Sequence, residues 1–377
     1  MTEAILLFGD SRNPTLSWRT GFIAPDPVVY MEVDGKGTLL VSAMELGRAR
    51  KEASADVVRS YDEFSFSARY REGGERHAYA GMVLSLLAEA GVDRVRVQPD
   101  FPVALARAIE AGDVVVDADQ PLFESERRRK RPDELDAIQS SQAAAQAGLT
   151  VARGLLRDAE VRDGKLYHDG QPLTSATVKS AIEVELLRLG CDTPEGTIVA
   201  GGPDAADPHV DDSGHLNAGE AVIVDIFPQG KKSRYFGDIT RTFVPGEPRE
   251  DWLRMFDAVK AARAAALEQL RAGVSGREAH LAVCRTLYEA GFSTLVEGFQ
   301  REGVPTMIHG TGHGVGLEIH EPPRVSDVDT ELLEGDVVTI EPGLYSPEIG
   351  GVRLEDTIVV TKDGYRNLTD YPLDWNP

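Results

Sequence analysis

Hydrophobic residues recur with two periods in the first third of the chain. Short apolar runs, typical of strands, occur at 28–31, 38–42 and 113–117. Between such runs the apolar residues follow helical spacing, most clearly over 75–90, where Ala80, Val83, Leu87 and Ala90 are three or four residues apart. This alternation predicts an α/β unit that extends to about residue 122.

The remainder of the chain predicts longer helices, each group followed by β-like sequence. A proline and two acids open an alanine-rich helix over 132–158, and a second helix is predicted at 175–189. Two more are predicted at 251–272 and 277–290. Helices followed by acid-bearing strands, twice over, suggest a larger domain with two similar halves.

A charged run, 124–132, separates these regions and ends at a proline. Its basic residues suggest either a nucleic-acid patch or a solvated junction between domains. The acidity of the whole chain favours the junction. We therefore expect an N-terminal domain at 1–127 and a catalytic domain at 128–377.

The overall composition excludes several function classes. The chain has 62 Asp and Glu against 40 Lys and Arg, a formal charge of −22, which argues against binding to nucleic acid or anionic membranes. Two cysteines, Cys191 and Cys284, are too few for a disulfide framework. No apolar run reaches the roughly 18 residues of a membrane helix, and the first residues do not resemble a signal peptide. These features predict a soluble, cytoplasmic protein.

Candidate chemistry is concentrated near the C-terminal end. His309, His313 and His320 lie in one glycine-rich run, a composition that indicates a sharp bend or a close approach of the backbone. We expect His309 to be a hydrogen-bonded structural histidine. Carboxylates interrupt four apolar, strand-like stretches before and after this run: Asp225, Asp238, Glu341 and Glu355. Together these residues suggest a metal site.

Carboxylates and imidazole are ligands that suit Mn, Co, Fe or Zn, often as a pair of ions. Bridging carboxylates can hold two ions about 3.5–4 Å apart, and the paired charges would make a shared water acidic enough to supply hydroxide at neutral pH. The pattern predicts a dinuclear hydrolase. A helical HExxH site is excluded because prolines follow Glu321, and neither a dinucleotide fingerprint, a P-loop nor a G-x-S-x-G motif is present.

Four motifs carry a family resemblance: His313-Gly-x-Gly with His320, Glu341-Pro-Gly, Arg353-x-Glu-Asp-Thr and Asp238-x-Thr-Arg-Thr. In order and spacing over about 133–370, they resemble the pita-bread metallopeptidases, which include Xaa-Pro dipeptidases, Xaa-Pro aminopeptidases, methionine aminopeptidases and the metal-free creatinases. The segment 12–22 is similar to the creatinase-type extra domain. The resemblance implies an α/β (α+β) fold: a small creatinase-like N-terminal domain, then a pita-bread domain with a curved, largely antiparallel sheet.

The resemblance also implies a ligand set for two divalent ions per subunit, with Mn²⁺ preferred and Co²⁺, Zn²⁺ or Fe²⁺ as alternatives. Asp225 would bind one ion, and His313 and Glu341 the other. Asp238 and Glu355 would bridge both. Between Asp225 and Asp238 the chain has two residues more than many relatives, in the predicted hairpin turn 228–235.

Further residues acquire expected roles from the same resemblance. His209 would lie beside the substrate, and His320 would contact the scissile peptide and its tetrahedral intermediate. Arg353 would hold the carboxylate network, and Glu341 would accept a proton from the bridging water. Arg324 is a candidate for binding the substrate carboxylate, with a surface ion pair as its alternative.

The function implied is an exopeptidase that cleaves between an N-terminal residue and a following proline, either as a dipeptidase or as an aminopeptidase. The expected partners are small peptides with proline at the second position, and a second copy of the chain in a homodimer. Two alternatives are an inactive peptide- or protein-binding relative, which predicts lost ligands, and a creatinase-like amidinohydrolase, which lacks the acidic metal set.

Overall fold

The computed structural model describes residues 2–118, 121–208, 210 and 212–377. The chain divides into two compact units, Met1–Arg127 and Arg128–Pro377. Each unit has its own hydrophobic core. The two units are described separately below.

The first unit is built on a six-stranded mixed sheet. Its strands are β1 (Glu3–Gly9), β2 (Val28–Val33), β3 (Lys36–Val41), β4 (Val57–Ser60), β5 (Arg94–Arg96) and β6 (Val115–Asp117). Its helices are α1 (Pro14–Thr20), α2 (Leu46–Glu52), α3 (Phe66–Ala90) and α4 (Val103–Glu110), and α5 (Glu124–Arg128) reaches the boundary. The strand order is β4-β3-β2-β1-β5-β6, with β1 antiparallel to β2 and parallel to β5.

Alternation along the central strands explains why helices cover both faces of this sheet. Leu6 and Val29 belong to the core that includes α3, whereas their neighbours Leu7 and Tyr30 belong to the core that includes Leu16 of α1. Successive side chains of a strand point to opposite faces, so an apolar run without polar interruption indicates burial on both sides.

The longest helix of this unit differs from the prediction at its start. The apolar spacing predicted a helix over 75–90, whereas α3 is assigned from Phe66. Gly74 interrupts it with φ 77° and ψ −173°. This conformation favours glycine, and the predicted helix begins directly after it.

The second unit has four long helices: α6 (Pro132–Arg157), α7 (Ser175–Arg188), α8 (Glu250–Leu267) and α9 (Gly276–Glu289). Its strands are β7 (Glu160–Arg162), β8 (Lys165–His168), β9 (Gln171–Pro172), β10 (Cys191–Asp192), β11 (Ile198–Gly201), β12 (Val222–Ile226), β13 (Gln229–Gly230), β14 (Ile239–Phe243), β15 (Ser293–Thr294), β16 (Thr306–Met307), β17 (Gly312–Gly314), β18 (Glu321–Val325), β19 (Val337–Ile340), β20 (Gly343–Ser346), β21 (Gly350–Arg353), β22 (Asp356–Thr361) and β23 (Gly364–Asn367). Short 3₁₀ turns occur at Tyr61–Phe64 in the first unit and Gly202–Ala206 in the second.

Two antiparallel sheets of this unit carry the candidate site. One has the order β11-β12-β14, and its apolar residues share a core with α6 and α7. The other has the order β18-β17-β19-β22-β23, and β19 and β22 share a core with α8 and α9. Each sheet is thus paired with two long helices.

The segment 228–235, predicted as a hairpin turn, contains a short strand. Gln229 and Gly230 form β13, which pairs antiparallel with Asp192 and Cys191 of β10. Two residues of this segment therefore have backbone partners of their own. Asp225 and Asp238 remain at their expected positions on either side of the segment.

The charged run 124–132 contains the boundary between the two units and is mostly exposed or half-buried, but two of its cations have acidic partners. Lys130 is 9% exposed, and Arg128 Nη2 lies 2.7 Å from Oδ2 of the buried Asp336. Both cations have acidic partners within the second unit, and such partners allow charged side chains to be buried. Of the described helices, none is both long and apolar enough to cross a membrane.

Candidate metal centre

A cavity of about 770 Å³ in the second unit contains the candidate chemistry. Its walls include eight of the residues singled out from the sequence: Asp225, Asp238, His313, His320, Arg324, Glu341, Arg353 and Glu355. The ninth, His209, lies outside the described residues, although its neighbours Asp207 and Pro208 line the cavity. The volume is in the range that small-molecule sites occupy.

Asp225 and Asp238 are brought together by one strand pair. Asp225 lies within β12 opposite Thr240 of β14, and Asp238 directly precedes β14. Asp225 is thus the one acid of the four that lies inside a strand. Because β12 and β14 are antiparallel, both aspartates lie at the same end of their sheet.

Glu341 and Glu355 are brought together in the same way by the second sheet. Ile340 at the end of β19 pairs with Asp356 at the start of β22. Glu341 follows the first strand and Glu355 precedes the second, so the two glutamates occupy neighbouring strand ends. The sequence predicted acids that interrupt strands; three of the four instead flank them, where the chain leaves or enters the ladder.

His313 completes the cluster from β17. Its Nε2 lies 3.5 Å from Glu341 Oε1 and 3.6 Å from Asp238 Oδ2. Ligand-type atoms of Asp238, His313 and Glu355 all lie within 4.8 Å of one another, and the three residues are buried. Ligand atoms of one ion, each about 2.0–2.2 Å from it, have separations of this order.

The glycines beside His313 allow neighbouring backbones to approach closely. A Cβ on Gly312 would lie 1.9 Å from the Thr339 carbonyl oxygen, and one on Gly314 would lie 2.4 Å from the Pro322 carbonyl oxygen. Any other residue would force β17 away from its neighbours. The glycine density seen in the sequence therefore reflects the packing that places His313 against the acids.

Burial raises the pKa values of three acids in the cluster. Burial and the neighbouring Glu355 carboxylate raise the pKa of Asp238 well above its ordinary value. Burial, with a smaller effect of Asp225, raises the pKa of Glu355 to about 7, and the pKa of Glu341 is also raised. These three acids therefore hold their protons to higher pH than usual unless positive charge compensates them.

The pKa of the histidine in the cluster is shifted in the opposite direction. Burial, with a contribution from His320, lowers the pKa of His313 to about 3. The imidazole is therefore neutral at physiological pH and has a lone pair available for a metal ion.

A network of hydrogen bonds holds two of the acids, Asp225 and Glu355. Arg353 donates from Nη2 to Asp225 Oδ2 at 2.7 Å and from Nη1 to the Tyr345 hydroxyl at 3.1 Å. The Tyr345 hydroxyl lies 2.8 Å from His309 Nε2. Thr240 donates its hydroxyl to Glu355 Oε2 at 2.8 Å. His309 therefore has the hydrogen-bonded environment expected of a structural histidine.

The donor set fits a divalent cation. Within the described residues, Asp225 Oδ1 is buried without a hydrogen-bond partner, whereas its other oxygen is held by Arg353. A buried carboxylate oxygen without a partner is costly, and a cation would satisfy it. The raised pKa values of the neighbouring acids indicate the same lack of positive charge.

His320 and Arg324 lie beside this cluster on the cavity wall. The ring of His320 meets the ring of His313 edge-on, with centroids 4.2 Å apart. Arg324 pairs with His313 across β17 and β18. Its side chain is exposed, and among the described residues no acid forms an ion pair with it. The surface ion pair considered as an alternative is therefore not observed.

Comparison with known proteins assigns the chain to a family. Residues 136–362 match metallopeptidase family M24. The chain belongs to this family. It is 30% identical over 344 residues to the Xaa-Pro dipeptidase of Pyrococcus furiosus, an alignment covering 90% of this chain and 86% of the relative.

Solved structures agree with this assignment. The Xaa-Pro dipeptidase from Bacillus anthracis is similar with a TM-score of 0.81 at 25% identity, over 100% of this chain and 95% of that one. The X-Pro aminopeptidase from Thermotoga maritima shares the fold, with a TM-score of 0.79 at 21% identity over 99% and 97% of the two chains. The predicted pita-bread superfamily, fold class and hydrolytic enzyme class are confirmed. As a metallopeptidase the chain has a buried Asp–His–Glu group able to hold a metal ion.

Proposed function

We propose that this M24 metallopeptidase is a dinuclear exopeptidase that hydrolyses the bond between an N-terminal residue and a following proline. The observation that carries the proposal is the convergence of four carboxylates and one neutral imidazole in a single cavity. Specificity for proline is supported by the similarity to the Pyrococcus furiosus Xaa-Pro dipeptidase, which extends over most of both chains.

The proposed ligands follow the motif resemblance. Asp225 would help to hold one ion, His313 and Glu341 would help to hold the other, and Asp238 and Glu355 would contribute to both. When bound, two divalent ions would polarise the scissile carbonyl and lower the pKa of water. Carboxylate-rich ligand sets favour hard or borderline ions, and we propose Mn²⁺ as the native metal.

The chain's own residues move the proton and hold the reacting groups. Glu341 takes the proton of the attacking water and passes it to the departing nitrogen. His320, beside His313, donates a hydrogen bond to the oxygen on which negative charge develops. Arg353 keeps Asp225 in one orientation through the 2.7 Å hydrogen bond. A role for His209 beside the substrate stays a prediction.

Arg324 favours a dipeptidase over an aminopeptidase. Arg324 is one of the residues that line the cavity, and none of the described acids forms an ion pair with it. A planar guanidinium can bind a carboxylate through two parallel hydrogen bonds. In an Xaa-Pro dipeptide that carboxylate belongs to the proline itself. An aminopeptidase is the second candidate. It would act on longer peptides, whose carboxylate lies beyond this position and would not meet Arg324.

Two further elements of the proposal concern the protein in solution. We propose a homodimer, to be tested by equilibrium sedimentation at micromolar concentration; a monomer whose activity is unchanged on dilution would contradict it. We also propose a cytoplasmic location, to be tested by fractionation of the source cells.

The function is tested with metal-stripped protein reconstituted separately with Mn²⁺, Co²⁺ and Zn²⁺. The substrates are Xaa-Pro dipeptides, Xaa-Pro tripeptides and matched Xaa-Ala dipeptides. We expect metal-dependent hydrolysis of the Xaa-Pro dipeptides above all others. Full activity after exhaustive chelation, with no metal detected by elemental analysis, would contradict the dinuclear centre.

The same assay separates the alternatives. Hydrolysis of tripeptides at least as fast as dipeptides would favour the aminopeptidase. Metal binding without hydrolysis of any peptide would favour an inactive binding relative. Release of urea from creatine would favour an amidinohydrolase.

A further inference from the structure

Gln142 on α6 contacts the backbone of Asp238, one of the two proposed bridging ligands. Its Oε1 accepts a hydrogen bond from Asp238 N at 2.7 Å, and its Nε2 donates one to Asp238 O at 2.9 Å. The Gln142 side chain is fully buried. One amide side chain thus supplies the two hydrogen bonds that a neighbouring strand supplies to a residue in a sheet.

Asp238 requires such a partner because of its place at the end of the ladder. The pairing of β12 with β14 ends at Ile226 and Ile239, so Asp238 lies one residue outside it. Buried backbone N–H and C=O groups without partners cost free energy. Gln142 satisfies both groups, and Thr357 donates its hydroxyl to Asp238 O at 2.8 Å as well.

The orientation of the amide is determined by its partners. Asp238 N can only donate, so it must face Oε1, and Nε2 must then face the carbonyl. Nε2 also donates to the Thr369 hydroxyl at 2.9 Å. A methionine of similar length cannot reproduce this arrangement, because its side chain has no N–H donor and its thioether sulfur is only a weak acceptor.

Close packing of α6 against Gly237, the residue before Asp238, fixes the distance between Gln142 and the backbone of Asp238. A Cβ on Gly237 would lie 2.4 Å from Gln142 N and 2.5 Å from the carbonyl carbon of Ser141. Ser141 donates its hydroxyl to Tyr235 O at 2.8 Å. The helix backbone therefore lies directly against the chain at Gly237, and consecutive helix residues hold the segment that leads into Asp238.

We propose that Gln142 is a positioning residue that sets the metal affinity of the site by fixing the backbone of Asp238. The inference rests on the proposed metal centre. The direction of the Asp238 carboxylate depends on its backbone, and its oxygen belongs to the three-residue group able to hold an ion. Residues that orient metal ligands typically change metal affinity by about 10–100-fold when replaced.

The test is the substitution Gln142→Met, which keeps the length of the side chain and removes both hydrogen bonds. Titration calorimetry of metal-stripped protein with Mn²⁺ is expected to show affinity about 10–100-fold weaker than wild type. The Mn²⁺ concentration for half-maximal activity should rise by the same factor. Hydrogen exchange of peptides that contain Asp238 should become faster.

Two glutamines on the same helix provide matched controls. Gln139 donates to Leu368 O at 3.1 Å, and Gln146 accepts from Asp370 N at 2.8 Å. Both attach α6 to residues near Thr369, and neither contacts Asp238. We expect Gln139→Met and Gln146→Met to bind Mn²⁺ within about twofold of wild type.

Four outcomes overturn the inference or separate it from the proposed function. Wild-type Mn²⁺ affinity in folded Gln142→Met overturns it, and so does equal weakening in the controls, which would indicate general docking of the helix. If Gln142→Met does not fold, Gln142→Asn keeps the amide but is one methylene shorter, which takes it out of reach of the Asp238 backbone; unchanged affinity there also overturns it. Failure of the wild-type protein to bind Mn²⁺ would instead contradict the proposed metal centre itself.

Discussion

Lys130 and Glu321 form an ion pair inside the second unit: Lys130 Nζ lies 2.7 Å from Glu321 Oε1, and the side chains are 2% and 3% exposed. Glu321 directly follows His320 in the chain. Its carboxylate also lies against Gly316, where an added Cβ would be 2.4 Å from Oε1. The pair therefore anchors the turn that presents His320 to the cavity.

Lys130→Met is expected to destabilise the protein strongly. It leaves the Glu321 carboxylate buried without its cation, a change that typically costs about 3–5 kcal/mol. The free energy of unfolding, measured with urea, tests this value. Arg129→Met changes an exposed neighbour in the same charged run and should remain within about 0.5 kcal/mol of wild type. Equal stability of the two variants would show that the pair contributes nothing.

Asp238→Ala and Glu355→Ala are expected to lose metal and activity together. Each removes a proposed bridging carboxylate, and two like-charged ions then face each other with less compensation. Elemental analysis of the purified variants and peptidase assays at saturating Mn²⁺ measure the two effects. A variant that retains two ions per chain would show that its carboxylate is not a bridge.

His320→Ala should separate binding from turnover. The proposed role is a hydrogen bond to developing negative charge, so the variant should retain its metal and lose kcat by a factor of about 10²–10³. Metal content and steady-state kinetics are measured on one preparation. Loss of metal would mean that His320 is a ligand.

In the metal-free protein the contribution of Glu355 to stability should fall as pH rises from about 4.5 to about 7, whereas His313, whose pKa burial lowers to about 3, contributes in the opposite direction. The pKa of Glu355 rises from 4.5 to about 7 on folding. Between these two pH values the folded state therefore binds more protons at Glu355 than the unfolded state does. The stabilisation from this group is fully present below about pH 4.5 and is lost as pH rises through about 7. Urea unfolding at several pH values, with and without Mn²⁺, tests the slope. The free energy of unfolding should fall less steeply with pH in Glu355→Gln than in wild type. An identical pH dependence in that variant would assign the effect to other groups.

Arg324→Lys is expected to weaken Xaa-Pro dipeptides selectively. Lysine keeps the charge and loses the two parallel hydrogen bonds to a carboxylate, a change of about 1–3 kcal/mol in transition-state binding. The measurement is kcat/KM for dipeptides and tripeptides. Arg277→Lys, in an exposed pair with Asp327, serves as control. Equal effects on both peptide lengths would remove Arg324 from substrate recognition and favour the aminopeptidase.

The sequence indicated the residues whose chemistry and spacing are local. His313 lies among glycines, and the acids lie in apolar stretches, so both stand out from the surrounding pattern. Gln142 does not: it is one glutamine among several on an alanine-rich helix, and its partner is the backbone of a residue 96 positions away. No periodicity or motif encodes a contact between a side chain and a distant backbone.

The burial of Lys130 was not predicted, for a related reason. Its neighbours in the sequence are charged and most of them are solvated, and composition describes such a run as a whole. Burial of one member depends on a partner 191 positions away. The positions of the acids at strand ends were missed as well, because hydrophobic alternation does not indicate where a ladder of hydrogen bonds stops.

The contact between Arg353 and Asp225 joins residues 128 positions apart in the chain. An unfolded chain brings such distant groups together rarely, because closing a long loop is entropically costly. The proposed ligands themselves come from two sheets, Asp225 and Asp238 from one and His313, Glu341 and Glu355 from the other, so the complete set exists only after both sheets have formed. Metal uptake would accordingly report the completion of folding. In a cell, the supply of the ion would then determine how much of this protein persists in its native form, since an ion that binds the folded state alone protects it by mass action.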